Sequence, residues 1–352
     1  MEQTTAKKNK YEIDMCNGTI MDKLISFSLP LMLSGILQLM FNAVDIIVVG
    51  RFSGSQALAA VGSTSALINV FTNLFIGISL GANVLTARFY AAGREKEVSE
   101  TVHTAITLAL VSGIVMALVG LVFSKGALAL MGTPDDVIGL SALYMRIYFL
   151  GMPFFMLYNY GAAILRAVGD TKRPLLFLMI AGVINACLNM VLVIVFKLGV
   201  AGVAIATVIS QMISCVLVLR CLCRSESSYR LRFSELGMKG YYLKQIFSVG
   251  VPAGIQSTVI NFSNVLLQSS VNSFGSTAMA GYTAANNLLG FLYVSVNSIT
   301  QACMSFTSQN YGVGKLKRMD RVLADCMILS VVVAVVLGCI CYGFGPEILQ
   351  IY

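Results

Sequence analysis

The stretch LMFNAVDIIVVGRFSG, residues 39–54, holds one acid, Asp45, in an otherwise apolar run. An ionised carboxylate in hydrocarbon costs about 3 kcal/mol on insertion scales. A proton, a bound cation or hydrogen bonds from neighbouring donors relieve that cost; pairing with Arg51, near the end of the same run, is a further arrangement. Elsewhere, Asn185 and Asn189 stand four residues apart, hence on one face of a helix. Asn159 and Thr207 are further hydrogen-bonding groups inside apolar runs. A single carboxylate with amide carbonyls and a hydroxyl has the donor set for one proton or one monovalent cation. The same amides also suit interhelical hydrogen bonding, at about 0.6 kcal/mol each.

A second polar set lies further on. Asn261, Asn264, Gln268 and Asn272 recur at spacings of three, four and four, one stripe along a helix. The next run adds Asn286, Asn287, Asn297 and Gln301. Neutral amides in such a stripe suit the wall of an aqueous cavity, or contact with a neighbouring helix.

The elements that carry these residues follow from composition. The chain has 352 residues, 57% hydrophobic and 11% charged, with mean hydropathy +0.82, against roughly 25% charged for a soluble domain. Runs able to cross about 30 Å of hydrocarbon need roughly 20 apolar residues. Nine are read: 24–50, 57–87, 104–124, 137–165, 174–196, 198–219, 245–272, 277–310 and 326–346. The uncharged block 245–314 is split at SFGST, where Ser273, Gly275 and Ser276 supply a turn. The runs are continuously apolar rather than alternating, which excludes a β-barrel. The expected fold is an all-α polytopic membrane protein embedded in the lipid bilayer. The first run is too long for a signal-peptide core and lacks a cleavage pattern.

Of the 24 Lys and Arg residues, 20 fall on one side if the N-terminus is cytoplasmic; Arg51, Lys125 and Lys197 fall outside and Arg146 within a span. Cytoplasmic loops carry this excess, so the net charge of +8 is topology and no nucleic-acid partner is expected. Six of the nine cysteines lie in apolar runs, and Cys221-x-Cys223 has neither zinc spacing nor a nearby His, so reduced thiols and no metal site are expected. No His cluster, Gly-x-Ser-x-Gly elbow or paired acids within one span appear, and no enzyme is expected. His103 reads as interfacial, and Arg146 as a snorkelling residue or a partner of backbone carbonyls.

An internal repeat organises the chain. At an offset of 221 residues Phe41 pairs with Phe262, Gly54 with Gly275, Tyr90 with Tyr311, Gly93 with Gly314 and Lys96 with Lys317. The Gly-Ser turn and the Tyr-x-x-Gly-x-x-Lys loop are matched polar punctuation. Six spans separate the copies, so both units have one orientation and an axis along the membrane normal. The expected organisation is a cytoplasmic leader 1–20, a first lobe 21–224, a basic linker 225–242 and a partial second lobe 243–352, three helices short.

Several motifs carry a family resemblance: GTI-x-x-x-L-x-x-FSLP at the start of the first span, VDIIVVGRFSG at its end, YAAGREKE after the second, YMRIYFLGMPFFMLYNYGAAILRAVGDTKRPL across the fourth, and INACLNMVLVIVFKLGVAGVAIATVIS across the fifth and sixth. Together these resemble the multidrug and toxic compound extrusion (MATE) family, and within it the DinF-like branch. The resemblance implies twelve helices in two six-helix lobes, of which this chain holds nine, in a bacterial plasma membrane. It also implies export of organic cations or other small amphiphiles in exchange for H⁺ or Na⁺, with no cofactor and no obligate protein partner.

By the same resemblance Asp45, Asn159, Asn185, Asn189 and Thr207 fall at the family's polar pocket in the first lobe. Asn261, Asn264, Gln268 and Asn287 are candidates for a substrate-cavity wall, and Pro30 for a bend in the first helix. Two departures stand out: Asn189 occupies a position where some members carry a second acid, and the helix-7 glutamate of the NorM-like branch is missing. A lipid-linked saccharide flippase on the same plan would call for several cationic residues in the cavity, and Arg146 alone is intramembrane. A non-transporting fragment is the remaining alternative.

Overall fold

The structure, a computed structural model, describes residues 11–272 and 276–343, without the side chains of Ala66 and of several positions between 262 and 288. The turn expected at SFGST lies outside the described residues. Nearly everything described is helix: α1 (Met21–Phe52), α2 (Ser55–Ala91), α3 (Glu95–Leu130), α4 (Asp135–Leu150), α5 (Met152–Ala167), α6 (Lys172–Asn189), α7 (Gly199–Cys223), α8 (Gly240–Asn272), α9 (Ser276–Gly312) and α10 (Leu316–Gly343). Helices satisfy their own backbone polar groups, the condition for crossing hydrocarbon. Six of them are long and apolar enough to cross a membrane, or up to seven with α4 and α5 taken as one bent span. The expected count of nine spans is therefore not reproduced by length and apolarity: α8 and α9 fall short because amides and hydroxyls interrupt them.

The run expected as one span over 137–165 is two helices, bent by 47°. Gly151 separates them and Pro153 sits in the first turn of α5. Proline lacks the N–H that would continue the ladder and its ring clashes with the preceding turn, so composition stays apolar while direction changes. α3 follows the bend closely: a Cβ on Gly113 would stand 2.5 Å from Pro153 Cα. The run expected over 174–196 also changes character, since α6 widens into a π-helical turn at Met190–Val195. It then reverses through Lys197 (φ 54°) and Gly199 (φ 55°).

Repeat punctuation is reproduced in the backbone. Gly93 and Gly314 both adopt left-handed φ, 69° and 73°, after α2 and α9. The residue that follows each donates back five positions: Arg94 to Phe89 O at 3.1 Å and Lys315 to Asn310 O at 2.9 Å. Glycine is the residue that takes this conformation without strain.

Two buried clusters form the interior. The larger joins α2–α7 with the start of α8 (Tyr242, Ile246) and the end of α1 (Val48, Val49). The smaller joins Met15 and the start of α1 (Ile20, Leu24, Phe27, Leu31) to α9 and α10 through Ile299, Ala302, Phe306, Val322 and Cys326. The two repeat-related helices α1 and α8 thus each send their first turns into the opposite unit, and each carries an internal proline, Pro30 and Pro252. α2 and α8 cross through Gly77-x-x-x-Gly81 and Gly250-x-x-x-Gly254, where any added Cβ would strike the partner's backbone. Small residues four apart let two membrane helices approach this closely.

Candidate functional site

Asp45 lies in the last two turns of α1, 8% exposed, facing α6 and α7. Asn189, fully buried at the end of α6, donates its side-chain amide to Asp45 Oδ1 and, at 3.2 Å, to Asn185 Oδ1. Thr207 on α7 places its hydroxyl 3.5 Å from Asp45 Oδ2 and donates to Val203 O at 3.0 Å. Asn185 Nδ2 stands 3.5 Å from the same hydroxyl. One oxygen in the group has no partner: Asn189 Oδ1, buried beside the carboxylate. The π turn begins at the residue after Asn189, and such turns recur where a helix re-aims functional side chains.

The structure therefore brings Asp45, Asn185, Asn189 and Thr207 together from three helices. Asn159 lines the same cavity but returns its amide to Phe155 O at 2.8 Å. Pro30 is buried in α1, which continues through it, and Ser34 bonds its carbonyl at 2.8 Å. Arg51 is exposed, and no ion pair joins it to Asp45 among the described residues. Of the second polar set, Asn261 bonds Ser257 O at 2.8 Å and Asn264 is exposed; neither lines the cavity at Asp45. The side chains of Gln268 and Asn287 lie outside the described residues.

That cavity measures about 410 Å³. Its polar wall includes residues missed in the sequence: Gln38 and Asn42 on α1, and Asn69 and Asn73 on α2. Their signal was present, since Gln38, Asn42 and Asp45 recur at four and three residues and Asn69 and Asn73 at four. Its aromatic wall comes from both arms of the bend: Tyr144 and Tyr148 of α4, with ring centroids 6.1 Å apart, and Phe155 and Tyr158 of α5. At spacings of four, seven and three, all four fall on one helical stripe that runs across the bend. Arg146 is exposed and does not line the cavity. With Phe41 of α1, the lining brings one carboxylate, several neutral amides and five aromatic rings to one space, and ring faces carry negative potential that attracts cations.

Two further buried titratable groups, His103 and Asp170, serve structure at the basic end. His103, buried at the start of α3, pairs Nδ1 with Ser99 O at 2.6 Å and accepts the Arg232 N–H on Nε2 at 3.0 Å. It fixes the segment between α7 and α8. Asp170, fully buried, pairs with Arg173, which also reaches Cys221 Sγ at 3.1 Å. Among the described residues no cluster of three or more His, Cys, Asp and Glu could hold a metal.

Comparison with known proteins follows from this geometry. The MatE family model matches residues 30–191 and 252–352. The chain is 34% identical over 335 residues to the probable multidrug resistance protein YoeA of Bacillus subtilis (strain 168), covering 93% of this chain and 72% of that protein. It is 22% identical over 321 residues to the multidrug export protein MepA of Staphylococcus aureus (strain NCTC 8325 / PS 47), covering 90% of this chain and 70% of that one. The fold superimposes at a TM-score of 0.91 on a multidrug resistance MATE family transporter of the MOP superfamily, solved in an outward-facing conformation. The two are 21% identical, and the match covers 97% of this chain and 76% of the other.

Proposed function

The chain belongs to the MatE family of multidrug efflux transporters, multi-pass membrane proteins rather than enzymes, and on that premise we propose that it exports amphiphilic organic cations by antiport, with Asp45 as the coupling carboxylate. The observation that carries this reading is the position of Asp45: beneath an aromatic cavity, held by Asn189, beside a buried amide oxygen without a partner. A proton on the carboxylate, or one Na⁺ shared among its oxygens, Asn189 Oδ1 and Asn185 Oδ1, removes the buried charge.

Coupling follows from the energetics. Neutralising a carboxylate in hydrocarbon is worth about 3 kcal/mol. A difference of that size between two states moves their ratio roughly a hundredfold, since about 1.4 kcal/mol is tenfold. Loading Asp45 favours the state in which the cavity has closed around it, with Pro30 as the point where α1 bends, and substrate leaves. Emptying it restores the state that admits substrate. The same carboxylate also serves a cationic substrate directly, so ion and substrate compete for one charge. Competition for a shared site, at opposite faces of the membrane, is sufficient for exchange.

The same reading divides the chain into a lobe over 21–224, a linker over 225–242 and a second lobe over 243–352, with Asn261, Asn264, Gln268 and Asn287 on the cavity wall of the second. Efflux of a fluorescent organic cation from proteoliposomes, under separate H⁺ and Na⁺ gradients, tests it. Asp45→Asn is expected to abolish gradient-driven efflux while leaving the fold intact. Gradient-driven efflux that survives Asp45→Asn would sink the assignment.

A further inference from the structure

The face with the basic loops, cytoplasmic by the positive-inside rule, is closed by polar groups that the site around Asp45 does not use. Asn83 on α2, 3% exposed, donates Nδ2 to Ala163 O of α5 at 2.8 Å and accepts the Ser305 hydroxyl of α9 at 3.1 Å. Gln309 of α9, 4% exposed, donates Nε2 to Ala167 O at 2.7 Å. Ala167 is the last residue of α5, so its carbonyl is among those a helix leaves without an internal partner. A residue of one repeat unit thus finishes a helix of the other.

The segment before α1 crosses the same seam. On one side Ile13 N–H donates to Gly169 O at 3.3 Å, and the Glu12 carboxylate accepts the hydroxyls of Tyr90 and Tyr229 at 2.9 and 2.8 Å. Two residues later the partners belong to α9 and the loop before α10. Asn310 donates to Met15 O at 3.1 Å, and Lys315 Nζ donates to Cys16 O and Asn17 Oδ1 at 2.9 and 2.8 Å. Met15 itself is fully buried in the cluster of α9 and α10.

We propose that Asn83, Gln309 and the segment 11–17 form the inner gate of the transport cycle, positioning α5 against α9 while the cavity is shut from the basic side. This rests on the transport reading above. Among the described residues the polar contacts that cross the line of parting are few: Ser305 to Asn83, Gln309 to the Ala167 carbonyl, and the Arg88 guanidinium over the Tyr311 ring at 4.8 Å, all groups that water serves equally well. Exchanging such a bond for water is close to balanced, so the seam opens without a large penalty. A permanent joint between the units would be built like the Phe27–Phe306 contact, with ring centroids at 5.6 Å, and would resist wetting. The line of parting runs between Ile13 and Asp14, between α5 and the end of α9, and through the prolines of α1 and α8. Segment 14–29 then travels with α9 and α10, and segment 240–251 with α2 and α3.

Hydrogen–deuterium exchange of this chain in phosphatidylethanolamine–phosphatidylglycerol nanodiscs tests the gate without any substrate. In the double variant Asn83→Ala/Gln309→Ala, exchange over 161–170 and 302–312 is expected to rise at least tenfold, with 105–117 in α3 unchanged. Unchanged exchange at the seam would overturn the proposal. A second variant, Asn83→Cys/Ser305→Cys, is joined through two disulfides by a short bis-methanethiosulfonate, each thiolate displacing a sulfinate, and its link mapped by peptide analysis. The link is expected to slow exchange at the seam and cut cation efflux at least tenfold, both restored on reduction. A linked protein that exchanges at 161–170 like the unlinked one, or keeps most of its efflux, overturns the proposal too. If the unmodified chain shows no efflux, the transport reading fails, and the exchange comparison still decides the gate.

Discussion

Asn189 gives its amide to Asp45 and keeps its own carbonyl oxygen buried without a partner. The carboxylate therefore depends on one strong donor, since the Thr207 hydroxyl at 3.5 Å is directed at Val203. Asn189→Ala removes that donor and leaves a buried acceptor unserved, at about 2 kcal/mol. The expected result is a lower melting midpoint in detergent and efflux reduced at least tenfold, whereas Asn159→Ala, whose amide bonds its own helix, changes efflux less than threefold.

The aromatic wall sets which molecules fit. Tyr148→Ala and Phe155→Ala each remove a ring face from the cavity, at about 1–2 kcal/mol for a desolvated cation. The expected change is a rise of roughly tenfold in KM for flat cations such as ethidium, with a smaller change for a compact tetraalkylammonium. Initial efflux rates against both probes measure the ratio, and equal losses for both would argue that these rings only fill space.

At the crossing of α2 and α8, Gly77 and Gly254 meet backbone to backbone. Gly77→Val puts a branched side chain where there is no room, and neither backbone can yield locally. Overpacking of this kind costs about 1–3 kcal/mol or more. Fluorescence-detected size exclusion is expected to show little monodisperse protein, and Gly62→Val, at a glycine facing open space, to show normal yield.

The segment between α7 and α8 should loosen in acid. The Lys239 ammonium, hydrogen-bonded to Glu100, holds that carboxyl below its ordinary 4.5. A folded-state value below the unfolded one contributes stability above the ordinary value, lost as pH falls through the lowered one. Limited proteolysis within 225–239 is therefore expected to accelerate as pH falls below about 4.5, and Glu100→Gln to lose most of that step, the remainder belonging to Glu235, which Arg232 also holds low. His103, bonded to the same segment, is the control: His103→Gln should leave the acid step in place.

How much of this was legible in the sequence differs by element. Hydropathy placed α1, α2, α6 and α7 within a few residues, because each is an apolar run with a charged or Gly-containing break, but it began α3 and α10 nine and ten residues late, since their first turns are charged and extend past the apolar run. The bend at Gly151 was not legible: the run stays apolar on both sides, and only a proline at the right register marks the change of direction. The amides at 185 and 189 were found by spacing, yet the same spacing at 38, 42 and 45 went unread beside the more conspicuous acid. Tyr144, Tyr148, Phe155 and Tyr158 form one stripe at spacings of four, seven and three, but such a stripe on an apolar run reads equally as a lipid-facing or core face. Asn83 and Gln309 carry no periodic signal; their partners lie 80 and 142 residues away.

The exchanged ends of α1 and α8 bear on the order in which the protein can be made. Met15 emerges early from the ribosome, but the amide that holds its carbonyl belongs to Asn310, 295 residues later. At about 5–20 residues per second, that is a wait of roughly 15 to 60 seconds. Until α9 and α10 have been inserted, the apolar side chains of Met15, Leu24 and Phe27 have no cluster to join. The first residues synthesised are thus among the last to find their place, and a ribosome stalled before α9 leaves them facing lipid or water.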